Sequence, residues 1–244
     1  MIGHIVGLLL SWALLSLIEK RDLLALGFTP VRKRIFQLML GFFFSATLCA
    51  SVQLLESYMM HASWYLNPQI TVSKIGEYLK RNVNSVLFEE LIFRGALLFI
   101  AIKRLGQTKG IILSAVAFGI YHWFSFGVFG NIIPMIFVFL ITGFMGYAWA
   151  YAFAKTKSMA LPIGFHLGWN FTFNAIFSKG VTSYPVLILM KTPGSTELTG
   201  AASVANAIVQ NLLPSILTLL FVRFMIKKHV DSEEIFVKEH VAVS

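Results

Sequence analysis

Glu89-Glu90-Leu91-Ile92-Phe93-Arg94 is the stretch whose reading decides the fold. Two adjacent carboxylates and a guanidinium stand inside 82–102, which is otherwise rich in Val, Leu, Ile, Phe and Ala and long enough to cross a bilayer. A charged side chain at the centre of a spanning helix costs roughly 2.5–3.5 kcal/mol on insertion scales, so three together require partners, water or a function. On a helix Glu90 and Arg94 are four apart and share a face, the spacing of an ion pair, whereas Glu89 points about 100° away. The spacing therefore predicts Glu90 and Arg94 as a structural pair and leaves Glu89 to face a cavity and act as a base. The competing reading is a buried polar network that only fixes helix packing.

The rest of the chain has the same apolar character. Of its 244 residues 57% are hydrophobic and 13% charged, with mean hydropathy +0.76, against about 25% charged in a soluble domain. These values predict an all-α fold: a polytopic transmembrane helical bundle over 1–226, with its motif core near 82–175, followed by a polar cytoplasmic tail over 227–244. Seven spans are expected, at 1–18, 35–55, 82–102, 111–124, 132–153, 158–177 and 205–225, and eight if 56–81 holds a short crossing. The first is read as uncleaved, because Glu19-Lys20-Arg21 follows the apolar stretch and no positive charge precedes it. Within 56–81, Val72, Ile75 and Leu79 recur at helical spacing opposite Lys74, Glu77, Lys80 and Arg81, the pattern of an interfacial amphipathic helix. From Gly110 to Ala154 no Asp, Glu, Lys or Arg occurs. That is too long for one crossing, and the division falls at 125–131. Pro162 and Gly164 mark an expected irregularity near the start of the sixth span, and 179–200 reads as a loop.

The net charge of +9 does not point to nucleic acid, since the basic residues gather at the ends of apolar runs. One set of connectors holds them at 20–34, 103–109, 155–157 and 223–238, whereas the other holds Lys74, Lys80, Arg81, Lys179 and Lys191. This asymmetry predicts a multi-pass protein of the cell membrane with its N-terminus outside and its C-terminus cytoplasmic. Cys49 is the lone cysteine, which excludes an intramolecular disulfide and a cysteine-based zinc cluster.

Four histidines, His4, His61, His229 and His240, fall near span ends or in the tail. His122 and His166 lie inside predicted spans, and His166 has Asn170 one helical turn further on. A carboxylate and an imidazole holding one water suit general-base hydrolysis, and a second imidazole beside an amide donor suits an oxyanion. The same Glu, His and His set could instead hold zinc with an open position, although the local HExxH spacing is absent. Intramembrane Glu and His also serve as proton relays in transporters. No hydroxyl nucleophile is paired with a base beyond Ser125 near His122, and no phosphate-binding glycine loop or nucleic-acid module occurs.

Three short motifs follow one another on separate apolar stretches: Glu89-Glu90-Leu-Ile-Phe-Arg94, Phe118-Gly-Ile-Tyr-His122 and His166-Leu-Gly-Trp-Asn170. Together they resemble EExxxR, FxxxH and HxxxN of the CAAX protease and bacteriocin-processing (CPBP) family of intramembrane proteases. The resemblance implies Glu89 as catalytic base with His122 on a water, His166 and Asn170 at the oxyanion site, Glu90 with Arg94 as the structural pair, and no cofactor or metal. It implies lipid and a membrane-associated protein or peptide substrate, lipidated or not, as partners. It also leaves alternatives, because some members act in immunity or as membrane scaffolds. The short chain favours a prokaryotic plasma membrane.

Overall fold

Polar side chains lie inside and apolar ones outside over much of this molecule. Gln53, Glu90, Arg94 and His166 are buried, while Phe36, Ile133, Phe137 and Phe224 are exposed on long helices. That inversion suits a hydrocarbon solvent, in which charged groups face the bundle interior. The structure, a computed structural model, describes residues 2–177 and 185–225. The polar tail, His229, His240 and Lys179 lie outside the described residues.

The described elements are α1 (Ile2–Leu14, extended by a π turn over Leu15–Glu19), α2 (Val31–Met59), β1 (Ala62–Leu66), α3 (Val72–Phe93), α4 (Ala96–Leu105), α5 (Gln107–Ser125), α6 (Ile132–Thr156), α7 (Ala160–Phe171, extended by a π turn over Thr172–Ile176), β2 (Leu187–Lys191), α8 (Gly200–Asn211) and, past a turn at Leu212, α9 over 213–225. Three helices are long and apolar enough to cross a membrane, namely Val31–Met59, Ile132–Thr156 and Gly200–Met225, and Ile5–Glu19 is a shorter apolar helix. This is a helical membrane protein. The remaining expected crossings fall on shorter or more polar helices.

Three expectations need correction. The stretch 82–102 is not one helix: α3 ends at Phe93 and α4 begins at Ala96. A Cβ on Gly95 would stand 2.1 Å from the Leu91 carbonyl oxygen, so the break needs glycine there. The expected interfacial helix is the first half of α3, which starts where the Thr71 hydroxyl accepts from the Lys74 N–H at 3.3 Å. The fold also contains strand: β1, in the mixed stretch 56–81, pairs antiparallel with β2, in what read as loop, Ala62 opposite Lys191 through Leu66 opposite Leu187. Finally, Pro162 causes no irregularity. It occupies the first turn of α7, where the N–H it lacks has no intrahelical partner.

Contacts gather the basic connectors at one end. Glu19 pairs with Lys103 and, at 2.7 Å, with Arg104; Ser158 Oγ donates to the Gly27 carbonyl at 2.6 Å; Arg34 donates to the Thr156 carbonyl at 3.3 Å. The β1–β2 pair follows the other end of α2.

Helix α7 lies directly against α2 through small residues. A Cβ on Gly164 would be 2.2 Å from the Leu38 carbonyl oxygen and one on Gly168 2.2 Å from that of Phe42, while Gly41 on α2 meets Leu161 in the same way. Gly164-Phe-His166-Leu-Gly168 is thus a GxxxG surface that holds His166 at a fixed depth. Gly168→Val is expected to force the two backbones apart, at a cost of about 1–3 kcal/mol or more, with loss of function. Thermal unfolding in detergent measures it. The control is Gly76→Ala: its Cβ meets nothing within 4 Å, so stability should hold or rise.

Candidate active site

The local rule that placed Glu90 and Arg94 on one helical face holds at atomic level. Arg94 Nη1 donates to Glu90 Oε1 at 3.1 Å, and both side chains are fully buried. Arg94 closes the end of α3, its Nη2 donates to the Gly146 carbonyl on α6 at 3.3 Å, and its guanidinium lies 4.1 Å over the Phe118 ring and 5.2 Å from that of Trp149. These ring faces replace part of the lost hydration of the cation. A side chain on Gly146 would press on Phe118 at 2.8 Å, so a small residue lets α6 approach.

Glu90 does more than balance Arg94. Its Oε1 also receives His166 Nδ1 at 2.8 Å. With Arg94 on the same oxygen the carboxylate is the acceptor, so His166 Nδ1 carries the proton and Nε2 presents a lone pair. The ring of His166 stacks on Trp149, with centroids 4.1 Å apart and planes at 24°. His122 is fixed in the same way. Its Nδ1 donates to the Phe118 carbonyl at 2.8 Å, one turn back on α5, which again leaves Nε2 as acceptor. Phe118 therefore serves His122 with its carbonyl and Arg94 with its ring, which gives the FxxxH spacing a physical reason.

Both free Nε2 atoms face Glu89. Its Oε2 is 4.0 Å from His122 Nε2 and 3.8 Å from His166 Nε2, while Oε1 accepts from Ser85 Oγ at 3.0 Å, one turn back on α3. Glu89 Oε2 is buried and has no hydrogen-bond partner among the described residues. Glu89, His122, His166 and Asn170 all line one cavity of about 780 Å³, within the range of about 300–1,000 Å³ typical of binding sites. Among the described residues, no three His, Cys, Asp or Glu side chains are arranged to hold a metal ion. The arrangement has the means to position a water and take its proton, with the Asn170 amide as a neutral N–H donor one turn from His166.

All six residues expected from sequence thus meet at one place. Ser85, Trp149 and Tyr121 were not expected there. The Ser85–Glu89 spacing of four was a readable signal for the first, but nothing local marks Trp149 or Tyr121. His61 is remote: its carbonyl accepts from Thr192 and Ser195 beside the strands. Cys49 is buried within α2.

No curated protein and no solved structure matches the chain. Residues 75–172, from early α3 to the end of α7, match the family model described as type II CAAX prenyl endopeptidase Rce1-like. The matched segment contains Glu89, Glu90, Arg94, His122, His166 and Asn170, so over 75–172 the chain is similar to the Rce1-like CAAX endopeptidases.

Proposed function

We propose that this protein is an intramembrane endopeptidase that hydrolyses a peptide bond of a membrane-associated protein or peptide, with a water activated by Glu89 and His122. The observation that carries this is the position of a buried carboxylate oxygen, without a hydrogen-bond partner among the described residues, between two imidazole acceptors 3.8 and 4.0 Å away. Those gaps are too long for direct hydrogen bonds and suit a bridging water. A water that donates one proton to Glu89 Oε2 and the other to His122 Nε2 has its lone pair free for the substrate carbonyl. Glu89 takes the first proton as the C–O bond forms, and returns it to the leaving nitrogen as the C–N bond breaks.

The tetrahedral oxyanion needs donors. Asn170 supplies one from its amide. His166 supplies a second only when protonated on Nε2, with Nδ1–H still on Glu90. Glu90 and Arg94 are positioning residues, since they orient His166 and touch no substrate.

The basic end of the bundle is the cytoplasmic one in this reading, which puts the N-terminus outside a prokaryotic plasma membrane. The catalytic test uses the full chain in liposomes with a set of membrane-associated peptides, the new termini being read by mass spectrometry. His122→Ala is expected to lower kcat by about 10²–10⁴-fold without loss of membrane accumulation. Cleavage at the wild-type rate by that variant would exclude the water geometry. A non-catalytic scaffold or immunity protein would cleave nothing and keep its phenotype in the variant.

A further inference from the structure

An oxyanion in this cavity is short of a donor. In the tautomer that Glu90 imposes, His166 directs its Nδ1 proton to Glu90 and its Nε2 lone pair towards Glu89. The neutral ring therefore has no proton for a developing negative charge, which leaves the Asn170 amide. Other donors of the lining are already directed elsewhere: Ser85 to Glu89 at 3.0 Å, Thr142 to the Val138 carbonyl at 2.7 Å and Asn174 to Asn82 at 3.1 Å.

Trp149 is different. It stands on α6 and lines the cavity with Glu89, His122, His166 and Asn170. Its ring stacks on that of His166 with centroids 4.1 Å apart, so the indole borders the reacting groups. The residue is only 3% exposed, and its Nε1 is buried with no acceptor among the described residues. An indole nitrogen can only donate, and a buried one usually finds an acceptor. Two other side-chain atoms of the lining, Glu89 Oε2 and Gln53 Oε1, are buried without a hydrogen bond among the described residues, and both are acceptors. Trp149 Nε1 is the one donor in that state. A base and an oxyanion donor are the two groups that addition of water to a carbonyl needs.

We propose that the Trp149 indole N–H donates to the scissile carbonyl oxygen and to the oxyanion formed from it, as a catalytic residue beside Asn170. As the water oxygen bonds to the carbonyl carbon and Glu89 takes a proton, the π pair of the C=O moves to its oxygen, where Nε1–H meets it. When the C=O re-forms, the C–N bond breaks and the leaving nitrogen takes the proton from Glu89. A donor buried without a partner gives up no earlier hydrogen bond, so its interaction grows with the charge on oxygen. Tyr121 also lines the cavity but is half-buried, so its hydroxyl exchanges one partner for another and gains less. This role rests on the proteolytic reading and completes its oxyanion site.

The test replaces Trp149 with benzothienylalanine, which keeps the fused ring and its stacking on His166 and has sulfur where the N–H was. In liposomes with the peptide set above, kcat is expected to fall by about 10²–10³-fold, the usual effect of one oxyanion donor, with KM and thermal unfolding close to wild type. Trp149→Phe should lose kcat as well. A purely structural Trp149 predicts the opposite pattern, with activity kept by benzothienylalanine and lost with stability in Trp149→Phe. Wild-type kcat in the benzothienylalanine protein overturns the donor and leaves the protease standing. A second readout needs no turnover: the NMR resonance of the Trp149 indole N–H proton, assigned by its absence from Trp149→Phe, followed as the same peptides bind to the Glu89→Gln protein. A downfield shift on binding upholds the hydrogen bond to a bound carbonyl even if no peptide is cleaved, and then the proteolytic reading falls. No shift together with no cleavage overturns both.

Discussion

Glu89→Gln is expected to lower kcat by about 10²–10⁴-fold, the usual contribution of a general base, while the protein unfolds at the same temperature or a higher one. Glutamine has the shape of glutamate, and its Oε1 can keep the hydrogen bond from Ser85 Oγ. What it loses is a carboxylate whose second oxygen is buried with no donor among the described residues. Such a group is a burden on the folded state and is retained for function. A purely structural cluster predicts the reverse, with stability falling and any activity following it. Single-turnover cleavage and thermal unfolding on one preparation decide between them. Near-wild-type cleavage, or a loss of stability as large as that of a packing variant, would remove Glu89 from the role of base.

Arg94→Leu is expected to act in the opposite way, reducing stability by about 3–5 kcal/mol, the cost of leaving one partner of a buried pair uncompensated. Both members are fully buried, and the loss also removes the guanidinium over Phe118 and its bond to the Gly146 carbonyl. Glu90 would keep its hydrogen bond from His166 Nδ1 at 2.8 Å, with its charge no longer opposed by the guanidinium. Adding Glu90→Gln removes that charge and keeps an oxygen for His166. The double variant should therefore recover much of the stability lost by Arg94→Leu, as the replacement of whole buried pairs often does. Chemical denaturation in mild detergent measures both. A double variant no more stable than the single one would mean that the two side chains are not coupled.

The two substitutions divide the opening stretch by physical role. Neighbours in sequence, Glu89 and Glu90 differ because α3 turns by about 100° per residue. One carboxylate meets Arg94 and His166, and the other faces the two Nε2 atoms and the cavity.

Local helical geometry accounts for what could be read in advance. Glu90 with Arg94, Phe118 with His122 and His166 with Asn170 are each four residues apart, and that spacing places each pair on one helical face wherever the helix lies. Apolar runs and their charged ends similarly marked most helices, because the cost of a charge in hydrocarbon is a property of composition. Three local features were less legible. The break at Arg94-Gly95 falls inside a stretch whose length and apolar background read as one crossing, and it depends on a backbone approach between Gly95 and Leu91. The strands are five residues each, and their partners lie more than a hundred residues apart. The glycines of α7 were visible as letters, but their purpose appears only against Leu38 and Phe42 on α2.

The sequence by itself determined that charged and imidazole groups stand in apolar helices, which of them share a face, and that Glu89 is left over from the Glu90–Arg94 pair. Only the tertiary structure decided that Glu90 also holds His166, that both histidines turn their Nε2 atoms to Glu89, and that α2 and α8 line the same cavity. The physical reason is range: i to i+4 relations are fixed by the helix, whereas distances between helices are set by how closely small residues such as Gly41, Gly146, Gly164 and Gly168 let backbones approach.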